Sequence, residues 1–291
     1  MKIGQIDDNV TRGDAAWGLW NWARFGVVSS MGEGFTFPDG DVTGAQILVT
    51  PIEGLKLLVG LPLSLTDTSN TMVSTELGHK ATYFATYTLK DIGTVKAGVQ
   101  CADKAYNKDG DKVDYAVIDA AFDLTAVKNL YVSVGTSIPT ATVYTVSSTS
   151  ASGYAKVVPQ VNGYVSYVLD ALTLHAAVGT KINQMDNKEV ISESDIEKSG
   201  FGLAFGIGAD YAFDNNVGAF VDFRYANSIY ENATTADNSD NMTFGAGITK
   251  GYSNGVFGIA FEGTTNNSGY YSLKNADDFA WAIPIKFEYS F

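Results

Sequence analysis

The sequence predicts an all-β chain, an antiparallel meander of about fourteen strands, on three observations. Large apolar residues recur at every second position through most of its length. Tight connections alternate strictly with long polar ones. Glycine and aromatic residues are abundant (30 Gly, 16 Tyr, 16 Phe) and proline is scarce (6), a mixture that suits glycine-relieved, aromatic-rich strands better than helices.

Taken in order, Lys2–Asp7 reads as a short first strand, and ARFGVVSS (Ala23–Ser30) as a candidate second one inside the first long segment. Apolar alternation follows at Leu55/Leu57/Val59/Leu61, Val95/Val99/Cys101, Leu130/Val132/Val134 and Leu172/Leu174/Ala176/Val178. Residues 201–213, FGLAFGIGADYAF, set Phe201, Leu203, Phe205, Ile207, Ala209, Tyr211 and Phe213 on one face. Gly202, Ala204, Gly206, Gly208 and Asp210 fall on the other, because successive strand side chains point to opposite faces. Val217–Tyr225, Met242/Phe244/Ala246/Ile248 and Phe257/Ile259/Phe261 repeat the pattern. The last thirteen residues, FAWAIPIKFEYSF, alternate without a break and stop on Phe291. Termini fray unless something ties them down, so this one reads as a strand buried on one face to its end. Pro284 cannot donate to a ladder, and predicts a bulge or a changed register there.

The connections carry as much information as the strands. Residues 51–54, 90–93, 124–129, 170–171, 214–216 and 252–255 are tight; 8–42, 64–80, 102–112, 139–159, 181–200, 227–240 and 263–278 are long and polar. Seven long segments against six short ones give fourteen strands with short turns on one rim and long loops on the other. The ambiguous start leaves twelve to sixteen strands open.

Alternation alone also fits a soluble sandwich or jelly roll, which buries one face of each strand. Two features favour a closed transmembrane barrel instead. The non-apolar face is rich in small residues (Gly202, Ala204, Gly206, Gly208, Gly245, Gly247, Gly258, Ala260), where a solvated sheet would carry Thr, Lys and Glu. The apolar face carries aromatics near strand ends: Tyr211, Phe213, Tyr289 and Phe291 at the short-turn end, Tyr83, Tyr225, Phe279 and Trp281 at the other. Two aromatic belts around an aliphatic band are what a bilayer selects. In hydrocarbon every backbone polar group needs a partner, so a sheet can span only when closed. Apolar residues make up 45% of the chain and charged ones 18%, yet no apolar run reaches the roughly twenty residues of a spanning helix.

The formal charge of −13, with no basic stripe, argues against nucleic acid as a partner. The single cysteine, Cys101, permits no intrachain disulfide and reads as a small buried hydrophobe. The start MKIGQIDDN has no charged n-region followed by an apolar one. The chain therefore reads as a single barrel domain over 1–291, in mature or re-cloned form or lacking strands upstream.

The ending Phe287-Glu288-Tyr289-Ser290-Phe291, with apolar residues at alternate upstream positions, resembles the C-terminal signature of bacterial outer-membrane β-barrels. The matching positions are Ile285, Phe287, Tyr289 and Phe291. The resemblance implies short periplasmic turns, long extracellular loops, a last strand read by the barrel-assembly machinery, and outer-membrane lipid or lipopolysaccharide as surroundings. It extends to the architecture of the whole chain and brings no pore motif with it.

Chemical motifs are few. GAGITKG (Gly245–Gly251) has the wrong spacing and no following helix for a phosphate loop, and reads as strand glycines. NKDGDKVD (Asn107–Asp114) fails the EF-hand spacing at both ends, where Ala105 and Ala116 fall, and reads as an Asp-Gly turn in a surface loop. His79 and His175 have no ligand-spaced companions, so neither metal nor cofactor is expected. No hydrolase elbow is present, and His175 reads as a pore-wall residue, so the chain is not expected to be an enzyme. Trp17, Trp20 and Trp22 concentrate in the first long segment as an interface anchor, a subunit contact or a loop at the mouth.

Lys56, Lys96, Asp119, Asp170, Asp210, Asp222, Arg224, Glu262, Lys286 and Glu288 are the inward-facing, pore-lining candidates, and their acidic excess favours cations. Small barrels of about eight strands enclose only side chains, whereas about sixteen to eighteen leave an aqueous channel. Fourteen imply a narrow lumen that an inserted loop could constrict. The expected function is an outer-membrane porin passing small hydrophilic solutes or ions, as a monomer or homo-oligomer. The alternatives are an adhesive or structural surface barrel plugged by its loops, and a transporter of hydrophobic substrates.

Overall fold

The computed structural model describes residues 1–6, 42–62, 81–107, 109–146, 154–181, 202–227, 241–265 and 279–290. Ala23–Ser30, the three tryptophans of the first long segment, His79 and Phe291 lie outside them.

Among the described residues seventeen strands form one antiparallel sheet. They are β1 (Lys2–Ile6), β2 (Val42–Ile52), β3 (Leu55–Pro62), β4 (Thr82–Leu89), β5 (Gly93–Tyr106), β6 (Lys112–Leu124), β7 (Leu130–Pro139), β8 (Tyr144–Val146) and β9 (Tyr154–Lys156). The second half comprises β10 (Gln160–Leu169), β11 (Leu172–Lys181), β12 (Gly202–Phe213), β13 (Val217–Asn227), β14 (Asn241–Tyr252), β15 (Gly255–Thr265), β16 (Phe279–Ala282) and β17 (Ile285–Tyr289). Each strand from β1 to β7 pairs with the next, β7 pairs with β10, and the meander continues to β17. Setting aside the β8–β9 hairpin, and taking β16 and β17 as two halves of one strand, leaves the fourteen that the connections predicted. Among the described residues no ladder joins the first strand to the last.

The short turns are where the backbone is most constrained. Left-handed φ falls on Gly54, Asp91, Asn129, Asp170, Asn215 and Asn216, the residue types that tolerate it. Two strand-opening glycines are required for close approach. A Cβ on Gly93 would stand 1.9 Å from the carbonyl oxygen of Asp123, and one on Gly255 2.1 Å from that of Glu288.

Four expectations need correction. Residues 102–112 are not a long loop: β5 continues to Tyr106 and β6 starts at Lys112, with the register shift between Ala102 and Ala105 absorbing an irregularity. The five remaining residues turn around Asn107, whose Oδ1 accepts from the amides of Asp109 and Asp111, both at 2.9 Å. Polar composition misled here because it reports solvation, and a paired strand can carry charges where its faces meet water.

Residues 139–159 are not simply a loop either, since they contain the β8–β9 hairpin. Thr140 extends the β6–β7 pairing, its amide donating to Ala116 O at 2.8 Å. The chain then crosses β6 and β5 so that Tyr144 pairs with Tyr106 on the far edge of β5. Lys112 and Asp114 on the outer face stay exposed, whereas inward-facing Ala105 is wholly covered, as is Val143. The strap therefore crosses the inner side.

Pro284 makes neither a bulge nor a shift. Glu262↔Ala282 before it and Ile259↔Ile285 after it keep one register, and Ala260 N donates to Pro284 O at 3.1 Å. The proline only interrupts the ladder. Cys101, finally, is not buried: it lies half-exposed on the outer face, paired with Ala116.

The distribution of side chains between the two faces is the reverse of a soluble protein's. Val95, Val134, Val178, Phe205, Ile207, Val221, Ile248 and Phe261 are exposed on one face. Lys96, Asp119, Ser133, Asn162, Asp222, Arg224, Thr243 and Glu262 are buried on the other. A sandwich would bury the aliphatic face. This sheet curls its polar face inward and turns its apolar face outward.

Candidate functional site: the polar inner face

Strand parity and register place the inner-face charges in two groups. On β5 and β6, Lys96 stands opposite Ala121, and Asp119 and Asp123 flank that alanine along β6. Lys96 Nζ lies 2.7 Å from Asp123 Oδ2, and Ser133 Oγ on β7 donates to Asp123 Oδ1 at 2.8 Å. Lys96 is only 4% exposed, and the carboxylate beside its ammonium, itself held by the Ser133 hydroxyl, is what makes burial tolerable.

The second group spans β13 to β15. Asp222 Oδ2 lies 3.6 Å from Arg224 Nη2. Asp222 pairs with Gly245, which pairs in turn with Glu262 on β15. The missing side chain at Gly245 leaves room between the two carboxylates; an added Cβ there would meet nothing nearer than 3.7 Å. Asp222, Arg224 and Glu262 are all buried, together with Thr243 and Thr264. Each group thus carries one cation and two carboxylates.

Between them lies a chain of rings. Tyr131 on β7 and Tyr164 on β10 have centroids 5.9 Å apart, and Tyr164 stacks on His175 of β11 at 6.1 Å. Tyr164 Oη lies 2.8 Å from His175 Nδ1, and Asp210 Oδ2 on β12 lies 2.6 Å from Nε2. An ionised carboxylate can only accept, so Nε2 carries a proton; in the neutral ring Nδ1 then accepts from the tyrosine hydroxyl.

The remaining candidates are placed differently. Lys56 is half-buried on β3, with Thr86 and then Lys96 along the same row. Lys286 and Glu288 form a 2.8 Å pair on β17 and are far more exposed than Lys96, Asp119, Asp222, Arg224 and Glu262. Asp170 is an exposed turn residue with φ 50°, not a wall residue. Tyr83, Tyr211, Phe213, Tyr225, Phe279, Trp281 and Tyr289 share the outer face with Ile285 and Phe287, and all but half-buried Tyr225 are exposed. Tyr211 and Phe213 meet edge to face at 4.6 Å; Phe244 and Phe279 stack at 5.8 Å over Gly263, and Phe261 stacks on Trp281 at 6.2 Å. Lys250 reaches the carbonyl of Asn215 at the short-turn end, its charged head drawn to the turn and its stem along the sheet.

Sequence reading missed Asp123, Ser133, Tyr131 and Tyr164 as members of the inner network. Asp123 was legible, two positions beyond Ala121 on the face of Asp119. The tyrosines carried no signal of their own: the same residue type populates the outer belts.

No protein-family model matches the chain, and no curated protein matches it. Of the solved structures, OmpT (in-vitro folded), an outer membrane protein of Vibrio cholerae, is similar to this chain with 14% sequence identity and a TM-score of 0.45, over 81% of this chain and 76% of that one.

Proposed function

We propose that the chain is a porin of the bacterial outer membrane, closed into a barrel, through which small hydrophilic solutes or ions diffuse passively with cations preferred. The single observation that carries this is the inverted sheet: aliphatic and aromatic side chains outside, ionised and hydroxyl side chains inside. Only a surrounding of hydrocarbon makes that distribution favourable over fourteen strands. Two carboxylates to each cation in both inner groups support the cation preference. On this reading the partners are membrane lipid, lipopolysaccharide and the assembly machinery that recognises the aromatic C-terminal strand.

A second reading has an observation of its own. The inner charges of β5–β6 and β13–β15 are covered by protein, and the β8–β9 strap crosses the inner face near the long-loop rim. Both fit a surface barrel whose lumen is blocked by its own chain.

Refolded protein in a planar bilayer under a KCl gradient separates the two. Discrete conductance steps with a cation-selective reversal potential support the porin. Steps with anion selectivity keep the porin and discard the charge argument. Silence from a demonstrably folded barrel favours the blocked surface protein.

A further inference from the structure

We infer that β1 closes the sheet onto β17 in one particular register, with Lys2 opposite Glu288 and Ile3 opposite Phe287; this rests on the closed-barrel part of the reading above. Both open edges are five-residue strands that meet the short-turn rim, Lys2–Ile6 starting there and Ile285–Tyr289 ending there, so side by side they run antiparallel. Both faces of β17 are bare: Ile285, Phe287 and Tyr289 are exposed outside, and the Glu288 side chain is 59% exposed inside. The backbone of β17 is turned the right way as well. Ser290 N donates to Asn254 O at 2.8 Å and Ala260 N to Pro284 O at 3.1 Å, so the even-numbered residues face β15. Ile285, Phe287 and Tyr289, between them, aim their amides and carbonyls at the open edge.

The chirality of the chain ties side-chain face to hydrogen-bond direction, and so decides which residues of β1 can meet them. Where a strand running to the short-turn rim is followed by one leaving it, as across this seam, the bonded pair faces outward: Cys101 N donates to Ala81 O at 3.0 Å, and Thr140 N to Ala116 O at 2.8 Å. On β1 the outward residues are Ile3, opposite Ala45, and Gln5, opposite Thr43. Only registers two residues apart keep both faces matched. In the first, Lys2 meets Lys286, a like-charge pair. Carried through the observed registers around fourteen strands, it returns to β1 with a stagger of about twelve residues and a tilt of about 30°, below the usual range. In the second, Lys2 meets Glu288, Gly4 stands opposite Lys286, and a stagger of about fourteen residues gives a tilt of about 35°, as barrels have. In the third, Lys2 meets Ser290, and Glu288 faces Gly4 in place of an ammonium. The second register alone satisfies charge and tilt together. It completes a third inner-face group, two ammoniums about one carboxylate, because Glu288 already has Lys286 at 2.8 Å.

The test is disulfide cross-linking of the full chain, refolded in phospholipid vesicles on a Cys101→Ala background. Lys2→Cys with Glu288→Cys is expected to link within the chain in most of the protein, read as joined N- and C-terminal peptides after digestion. Lys2→Cys with Lys286→Cys, or with Ser290→Cys, should link about tenfold less, since a disulfide needs Cα atoms within about 7 Å. Ile3→Cys with Phe287→Cys reports the same register should the first pair fail to refold. A dominant link in either of the shifted pairs, links only between separate chains, or no link in any pair would overturn the inference. Planar-bilayer conductance of the same preparations keeps this apart from the channel reading. Conducting protein linked in a shifted register loses the inference and keeps the channel. Silent protein linked at positions 2 and 288 keeps the seam and loses the channel.

Discussion

Placing arginine on the outer face of β13 tests the bilayer-facing reading at two depths with the same chemistry. Val221 and Val217 lie on one strand and point the same way; Val221 is 55% exposed on the apolar face, and Val217 opens the strand beside the 214–216 turn. Val221 stands five residue steps beyond Asn216, the last residue of that turn. At about 3.3 Å per residue and a tilt of about 40°, its Cα stands about 12 Å above the turn, close to the middle of an apolar band about 25 Å tall. Arginine at the midplane costs about 2–4 kcal/mol, falling to about 0–1 kcal/mol at the interface. Val221→Arg should therefore lose about 2–4 kcal/mol and Val217→Arg less than about 1 kcal/mol. The assay is reversible urea unfolding from phospholipid vesicles, followed by tryptophan emission and by migration of the unheated band in gels. On a solvated sheet the same changes would both fall within about 0.5 kcal/mol. Equal and small losses at the two sites would refute the orientation of the outer face.

Other expectations follow from the same geometry. Gly93→Ala pushes a methyl group into the backbone at Asp123 and should cost about 1–3 kcal/mol in the same unfolding assay, whereas Gly245→Ala, where the methyl group makes only ordinary van der Waals contact, should be close to neutral. Lys96→Met leaves Asp123 buried without its ion pair and should cost about 3–5 kcal/mol. The double variant Lys96→Met/Asp123→Leu should recover much of that loss; a double variant as damaged as the sum of the singles would show that the pair is not coupled. Half-exposed Cys101 on the outer face should react with an apolar maleimide in vesicles and much more slowly with a charged one. Equal rates would place it in water.

The resemblance at Ile285–Phe291 and the strand count were readable because a strand's period of two is a local property: each side chain's face follows from its neighbours. The same locality made the short turns legible, since Asn215, Asn216 and Asp170 adopt left-handed backbone whatever lies across the sheet. Pro284 was misjudged for the opposite reason. Whether a proline shifts a register depends on the partner strand, and β15 holds the same register on both sides of it. Residues 102–112 and 139–159 were read as loops from polar composition, which reports solvation and not pairing.

What the sequence determined by itself is the all-β meander, its fourteen passes and the separation into an apolar and a small-or-charged face. Only the tertiary structure decided which charged side chains meet. Lys96 and Asp123 are joined through the β5–β6 register, and Tyr164, His175 and Asp210 through three successive strands. It also decided which of them are sealed: Glu262 is 2% exposed while the side chain of Asp210 is 37% exposed, though both alternate identically along their strands. Alternation fixes direction along one strand, but contact and burial come from the stagger between strands and from the glycines at Gly206, Gly208 and Gly245 that open or close the space between side chains.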